Sequence, residues 1–218
     1  MGDKIKDIFA LDGLFYKITE NIADLVFLNI FFIIGCLPII TIGTSLTAMS
    51  HVNKLINDDN TKVNIFSQFI NTYKSKLFSS IVNFVICIIV FVINLIYLLI
   101  FKDKDDLFSK IYFVFNLVVF IEFLSLSFYL YPLIAESEES NPFSYLQKSF
   151  LLANYNLLNT FAILGLTLIL AIIIFSSASA VGWAIYFVIA LGFSLLNFVI
   201  VRVVSRVFNK NGIGEVDE

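Results

Sequence analysis

The 53 residues from Ser149 to Val201 contain no charged side chain. As a single helix they would measure roughly 80 Å at 1.5 Å per residue, more than twice a hydrocarbon core of about 30 Å. The run must therefore fold back on itself. The small residues Ser176, Ser177, Ala178, Ser179, Ala180 and Gly182, followed by Trp183, mark the turn, because tryptophan favours the membrane boundary. Further charge-free runs cover Leu25–Asn53 and Leu77–Phe101, and Ile111–Ala135 is interrupted only at Glu122. With 59% hydrophobic and 14% charged residues there is too little charge to coat a water-soluble globule. The expected fold is all-α: a single polytopic transmembrane helical bundle over 1–218, in a cell membrane, with the lipid bilayer as its first partner.

The run at 25–57 is long for one crossing and short for two. Pro38 lies in its middle, and Thr41, Gly43 and Thr44 follow. Proline removes a helix donor and favours a break, so the segment reads as a proline-broken helix pair. A single kinked helix is the alternative, giving five spans instead of six. Basic residues collect on the cytoplasmic side. Five spans would divide the 14 basic residues six against eight, whereas six spans divide them eleven against three, with only Lys102, Lys104 and Lys110 outside. The charge distribution selects six spans with both termini cytoplasmic.

Three segments read as amphipathic surface helices. Asp12 opens the first, over 12–25, with Leu14, Phe15, Ile18, Ile22 and Leu25 on one face. Asn64 caps the second, with Ile65, Phe66, Phe69, Ile70, Tyr73 and Leu77 as its stripe. Asn141 caps the third and Pro142 takes its first position, with Phe143, Leu146, Phe150 and Leu157 as its stripe. Such stripes suit headgroups, a cytoplasmic protein or the chain's own spans. The second and third segments share Asn-x-Phe-Ser and each precedes two long apolar runs. That order suggests parallel repeats over 64–135 and 141–207, and the tail 209–218 is expected to be mobile.

Glu122 is the candidate intramembrane polar site, with Ser125 and Tyr129 on its helical face. It suits a coupled ion or a polar substrate, or else a structural carboxyl bonded to an Asn or Ser on another helix. Asn29, Asn83, Asn94, Asn116 and Asn197 are candidates for interhelical hydrogen bonds. His51, the sole histidine, has no Asp or Glu one turn away, so neither a metal site nor a catalytic triad is expected. Cys36 and Cys87 lie in apolar runs and read as buried hydrophobes. No phosphate-binding loop, nucleophile elbow or zinc-protease motif is present. The expectation is a non-enzyme with no cofactor and no metal. At a net charge of −3 and with no basic block, nucleic acid is excluded as a partner.

The stretch Leu37-Pro38-Ile39-Ile40-Thr41-Ile42-Gly43-Thr44-Ser45-Leu46-Thr47-Ala48, behind Asn29-Ile30, resembles the signature of the YesL-like family of bacterial integral membrane proteins, and Tyr129 to Ala135 extends the likeness. The family's domain has no assigned function and supplies no binding residues. The resemblance implies a Gram-positive cell membrane and association with carbohydrate uptake. Ser50-His51 departs from the aromatic residues expected there. Three functions stay open: an accessory or permease-like component of small-solute uptake within a membrane transport complex, a scaffold or signalling partner, and an ion-coupled transporter using Glu122.

Overall fold

The structure is a computed structural model that describes residues 14–58, 64–101, 106–139, 141–175 and 178–213. Among these residues there is no strand. Helix α1 runs Leu14–Gly35, and a 3₁₀ turn at Ile39–Thr41 leads into α2, Ile42–Asn57. Then come α3 (Ile65–Ser75), α4 (Leu77–Phe101), α5 (Leu107–Glu136), α6 (Pro142–Tyr155) and α7 (Leu157–Phe175). The last rod is α8 (Ala178–Phe187), a π-helical turn at Val188–Gly192, and α9 (Phe193–Lys210).

Among the described residues, four helical stretches are long and apolar enough to cross a membrane: Leu77–Phe101, Leu107–Glu136, Leu157–Ile174 and Val181–Lys210. A shorter apolar helix covers Ile22–Gly35. The segment read as a surface helix over 12–25 and the apolar run behind it form one unbroken rod from Leu14. Its proposed cap, Asp12, lies outside the described residues, as do Lys102–Asp105 and the Ser176-Ser177 turn.

Local chemistry sets several of the other helix ends. The side chain of Asn64 accepts from the Ser67 N–H, Asp106 from the Ser109 N–H and Asn141 from the Phe143 N–H, so each cap satisfies a donor the helix cannot. At the far end, Gly212 adopts φ +64°. Its N–H donates to the Asn209 carbonyl and that of Ile213 to Phe208, which closes α9 with a left-handed cap. Ile213 packs on the core, so residues 209–213 of the segment expected to be mobile are held, and the rest lies outside the described residues.

The bundle is organised around α2, which packs against α1, α3, α4, α5 and α9. Its small residues Gly43, Thr44, Ser45, Thr47, Ala48 and Ser50 are all buried, and small side chains let helix backbones approach closely. Gly43 is the extreme case: a Cβ there would lie 2.7 Å from Phe84 Cβ and 2.9 Å from the Ser80 carbonyl. At Gly35 a Cβ would meet Ser45 Oγ at 2.5 Å. One apolar cluster joins Leu28, Phe32, Met49, Val52 and Phe69, and another joins Tyr129, Leu133, Tyr145, Ile163, Ile200 and Val204.

α6 does not project from this core. Its start is tied to the α5 end where the Glu139 N–H donates to Tyr145 Oη and Tyr145 Oη donates to the Ser137 carbonyl, and its end meets Glu122 through Asn154. It therefore runs back along α5 for about 20 Å. Tyr145, Ser149, Leu152 and Ala153 face inward, while Phe143, Phe150 and Leu157 are exposed. Of the apolar stripe read from the sequence, Leu146 packs on the core while Phe143, Phe150 and Leu157 lie on the outer face, and the inner contact with α5 is made in part by the small residues Ser149 and Ala153. In α3, Ile65 and Phe69 are buried as the pattern implies and Phe66 is exposed, as is Leu77 at the start of α4.

Candidate functional site: three polar seams

The first seam closes the irregular turn in the last rod. A π-helical turn breaks the regular hydrogen-bond ladder and commonly accompanies functional positions. Asn29, fully buried on α1, fills the gap. Its Nδ2 donates to the carbonyls of Val188 (3.1 Å) and Ile189 (2.7 Å), and its Oδ1 accepts the Ser194 N–H at 3.0 Å. Ser194 Oγ donates to the Leu25 carbonyl at 2.7 Å. The seam continues into α2, where Asn53 Nδ2 donates to Asn197 Oδ1 at 2.7 Å and Asn197 Nδ2 to Ser50 Oγ at 3.1 Å. These bonds lock α1, α2 and α9 in one register.

The second seam joins the ends of α2 and α5. Lys54 Nζ lies 2.5 Å from Glu136 Oε2, and His51 Nδ1 lies 3.3 Å from Glu136 Oε1. Beside them, Lys76 Nζ donates to the Ser137 carbonyl at 2.9 Å and pairs with Glu138 at 3.8 Å. Sequence reasoning missed this cluster. It looked for an acid one turn from His51, and the acid comes from a helix 85 positions away. No local pattern carries that signal.

The third seam contains the residues singled out in the sequence. Glu122 Oε2 accepts from Asn154 Nδ2 at 3.3 Å. Ser125 Oγ turns back to its own helix, donating to the Ile121 carbonyl. Tyr129 is fully buried, and its Oη lies 3.0 Å from Thr160 Oγ1. The three therefore share a face of α5, but they do not converge on one point. Each meets a different partner.

At the proline break, Thr41 Oγ1 faces the carbonyls of Gly35 (2.8 Å) and Pro38 (2.7 Å), oxygens left over at the end of α1. Thr47 Oγ1 lies 2.9 Å from Ser80 Oγ, whereas Thr44 Oγ1 is buried with no hydrogen-bond partner. Pro38 itself is exposed, next to Leu37 and Ile39 at 76% and 72% exposure. The tip of the α1–α2 hairpin is therefore left uncovered by the described residues.

Of the five apolar-run amides, Asn29 and Asn197 bond across helices. Asn83 and Asn116 donate to carbonyls one turn back, and the Asn94 Oδ1 is unpartnered. Cys36 and Cys87 are free thiols. Among the described residues, no group of three or more His, Cys, Asp or Glu side chains could hold a metal ion.

Cavities among the described residues include three apolar ones. One of about 640 Å³ lies between α7 and the α8–α9 rod, one of about 200 Å³ lies between α2, α5 and α9, and one of about 440 Å³ flanks Phe32, Leu37 and Phe193. Their walls are overwhelmingly apolar, and Glu122 lines none of them.

No curated protein and no solved structure matches the chain. Residues 25–98, which hold the apolar part of α1, the proline break, α2, α3 and nearly all of α4, match the family model described as Protein of unknown function, DUF624.

Proposed function

We propose that this chain is an integral membrane accessory protein: a non-catalytic helical scaffold that acts through a transport complex instead of carrying solute itself. The observation that carries this reading is the pairing of Glu122 with Asn154 across α5 and α6, apart from the apolar cavities described above. A coupling carboxylate has to reach an aqueous path or a bound solute, and this one is used to fasten α6 to α5. The intramembrane amides at Asn29 and Asn197 are likewise satisfied by the chain's own groups. The resemblance to YesL-like proteins supplies the expectation that the complex handles carbohydrate in a Gram-positive cell membrane.

The topology that accompanies this reading keeps both termini cytoplasmic. At 16 residues, α2 is about 24 Å long, short of a 30 Å core. Its start lies beside Ser80 and Phe84, and α4 continues for about 25 Å beyond Phe84. The α1–α2 hairpin therefore enters and leaves through one face, and four helices cross completely. Residues 36–41 carry no charge, so the eleven-to-three division of basic residues is the same for this arrangement as for six crossings. The repeated order of a short capped helix followed by two long ones, α3–α4–α5 and α6–α7–α8/α9, fits a parallel duplication.

Reconstitution tests the functional reading. Purified chain in proteoliposomes, offered mono- and oligosaccharides with and without a proton or sodium gradient, should show the flux of empty vesicles. Glu122→Gln should match the wild type and retain its thermal stability. Saturable uptake that is lost in Glu122→Gln would instead establish an ion-coupled transporter.

A further inference from the structure

The exposed side of the last rod changes character once. From Trp183 to Val199 the exposed residues are all apolar or aromatic, among them Ile185, Ile189 and Phe193. Beyond Val199 the exposed residues of α9 are Arg202, Arg206, Asn209 and Lys210. At about 100° per residue, Val199, Arg202, Arg206 and Lys210 fall within an arc of about 80°. The opposite face is locked, because Val201, Val204, Val207 and Phe208 are at most 2% exposed and the cap at Gly212 seats Ile213 on the core. The three cations therefore cannot turn inward.

Their charge is also uncommitted. Lys54 pairs with Glu136, Lys76 with Glu138 and Lys148 with Glu139, whereas Arg202, Arg206 and Lys210 meet no carboxylate among the described residues. A guanidinium binds phosphate oxygens through two parallel hydrogen bonds. Arg202 and Arg206 stand about 6 Å apart along the helix axis, within the roughly 5–8 Å that headgroups occupy in each leaflet. Lys210 lies about 6 Å farther out. A protein partner would need an apolar anchor among these charges, and α9 exposes no large apolar side chain beyond Val199.

We propose that Arg202 and Arg206, with Lys210 adding its field, bind the phosphate of an anionic phospholipid at the end of the Val181–Lys210 crossing. The change from apolar to cationic between Val199 and Arg202 sets the hydrocarbon boundary on this helix. The lipid tails lie along the apolar face above it. The site depends only on the chain's lying in a membrane, so it can fail while the scaffold reading stands, and the reverse.

The full chain is reconstituted in nanodiscs of equal parts phosphatidylglycerol and phosphatidylcholine with matched tails, and the lipids it retains are counted by native mass spectrometry. A basic residue at the surface favours an anionic lipid about fivefold, so the wild type should retain phosphatidylglycerol over phosphatidylcholine by at least about that factor. Arg202→Gln/Arg206→Gln should bring the ratio near parity, and Arg202→Lys/Arg206→Lys should keep most of the preference. Lys102→Gln/Lys104→Gln removes the same charge between α4 and α5 and should behave as the wild type does. An equal loss in that variant would assign the preference to net charge and overturn the site. Equal retention of both lipids by the wild type would overturn it as well. Binding of polyglutamate by that same chain would then assign the face to an acidic protein, and a lipid preference that appears only once Glu215, Asp217 and Glu218 are neutralised would assign it to the chain's own acidic tail.

Discussion

At the scale of single residues, small side chains and amides set how closely the helices approach, alongside the two large apolar clusters. Gly43 allows α2 to touch the backbone of α4, and Gly43→Val would drive a branched side chain into the Ser80 carbonyl and Phe84. We expect a loss of about 1–3 kcal/mol, read as a lowered midpoint in detergent unfolding, with Gly165→Val near neutral because nothing lies within 4 Å of a Cβ there. Asn29 satisfies two carbonyls and an N–H at the π-helical turn. Asn29→Leu keeps the volume and strands those groups, at a cost of about 1–2 kcal/mol. Accelerated hydrogen exchange confined to residues 188–194 is the specific signature, and unchanged exchange there would show that the turn does not need Asn29.

At the scale of elements, the α5–α6 corner is the clearest case of charge acting on structure. Glu139 sits between the helices, paired with Lys148 and hydrogen-bonded to Ser144 at 3.0 Å. The Lys148 hydrogen bond holds its carboxyl below the usual carboxylate range. A depressed carboxyl contributes stability that is fully present above its unfolded value and is lost as pH falls through its folded one. The corner should therefore loosen in acid and be indifferent to pH near neutrality. Because half of the Lys148 side chain is exposed, the effect is small and screened by salt. Melting temperatures measured between neutral pH and pH 3 should fall less for Glu139→Gln than for the wild type. α6 also shows why its orientation was hard to read from sequence. Helical periodicity finds an apolar stripe, but the inner contact with α5 is made in part by Ser149 and Ala153, and Phe143 and Phe150 of the stripe point outward.

At the scale of the whole molecule, the side on which each connection lies is open to a direct test. In a background with Cys36 and Cys87 replaced by serine, Leu107→Cys at the exposed start of α5 should react with an impermeant maleimide added outside. Leu107 is a better probe than Ser109, which is buried under the Asp106 cap. Ser67→Cys should react only after permeabilisation. Ile39→Cys, at the hairpin tip, should stay unlabelled from outside if the hairpin enters and leaves by one face. Labelling there would restore six full crossings, and labelling of Ser67→Cys from outside would reverse the assignment of faces.

Membrane character, helical class, the cap residues Asn64 and Asn141, and the break at Pro38 are legible in the sequence because each follows from local chemistry. A charge-free run has to sit in hydrocarbon, a side-chain oxygen has to meet a bare N–H, and a proline cannot donate. The burial of α2, the Glu136 pairing with His51 and Lys54, the inner face of α6 and the π-helical turn closed by Asn29 were settled only by tertiary structure. Each joins groups dozens of residues apart, and a one-dimensional pattern carries no distance between them.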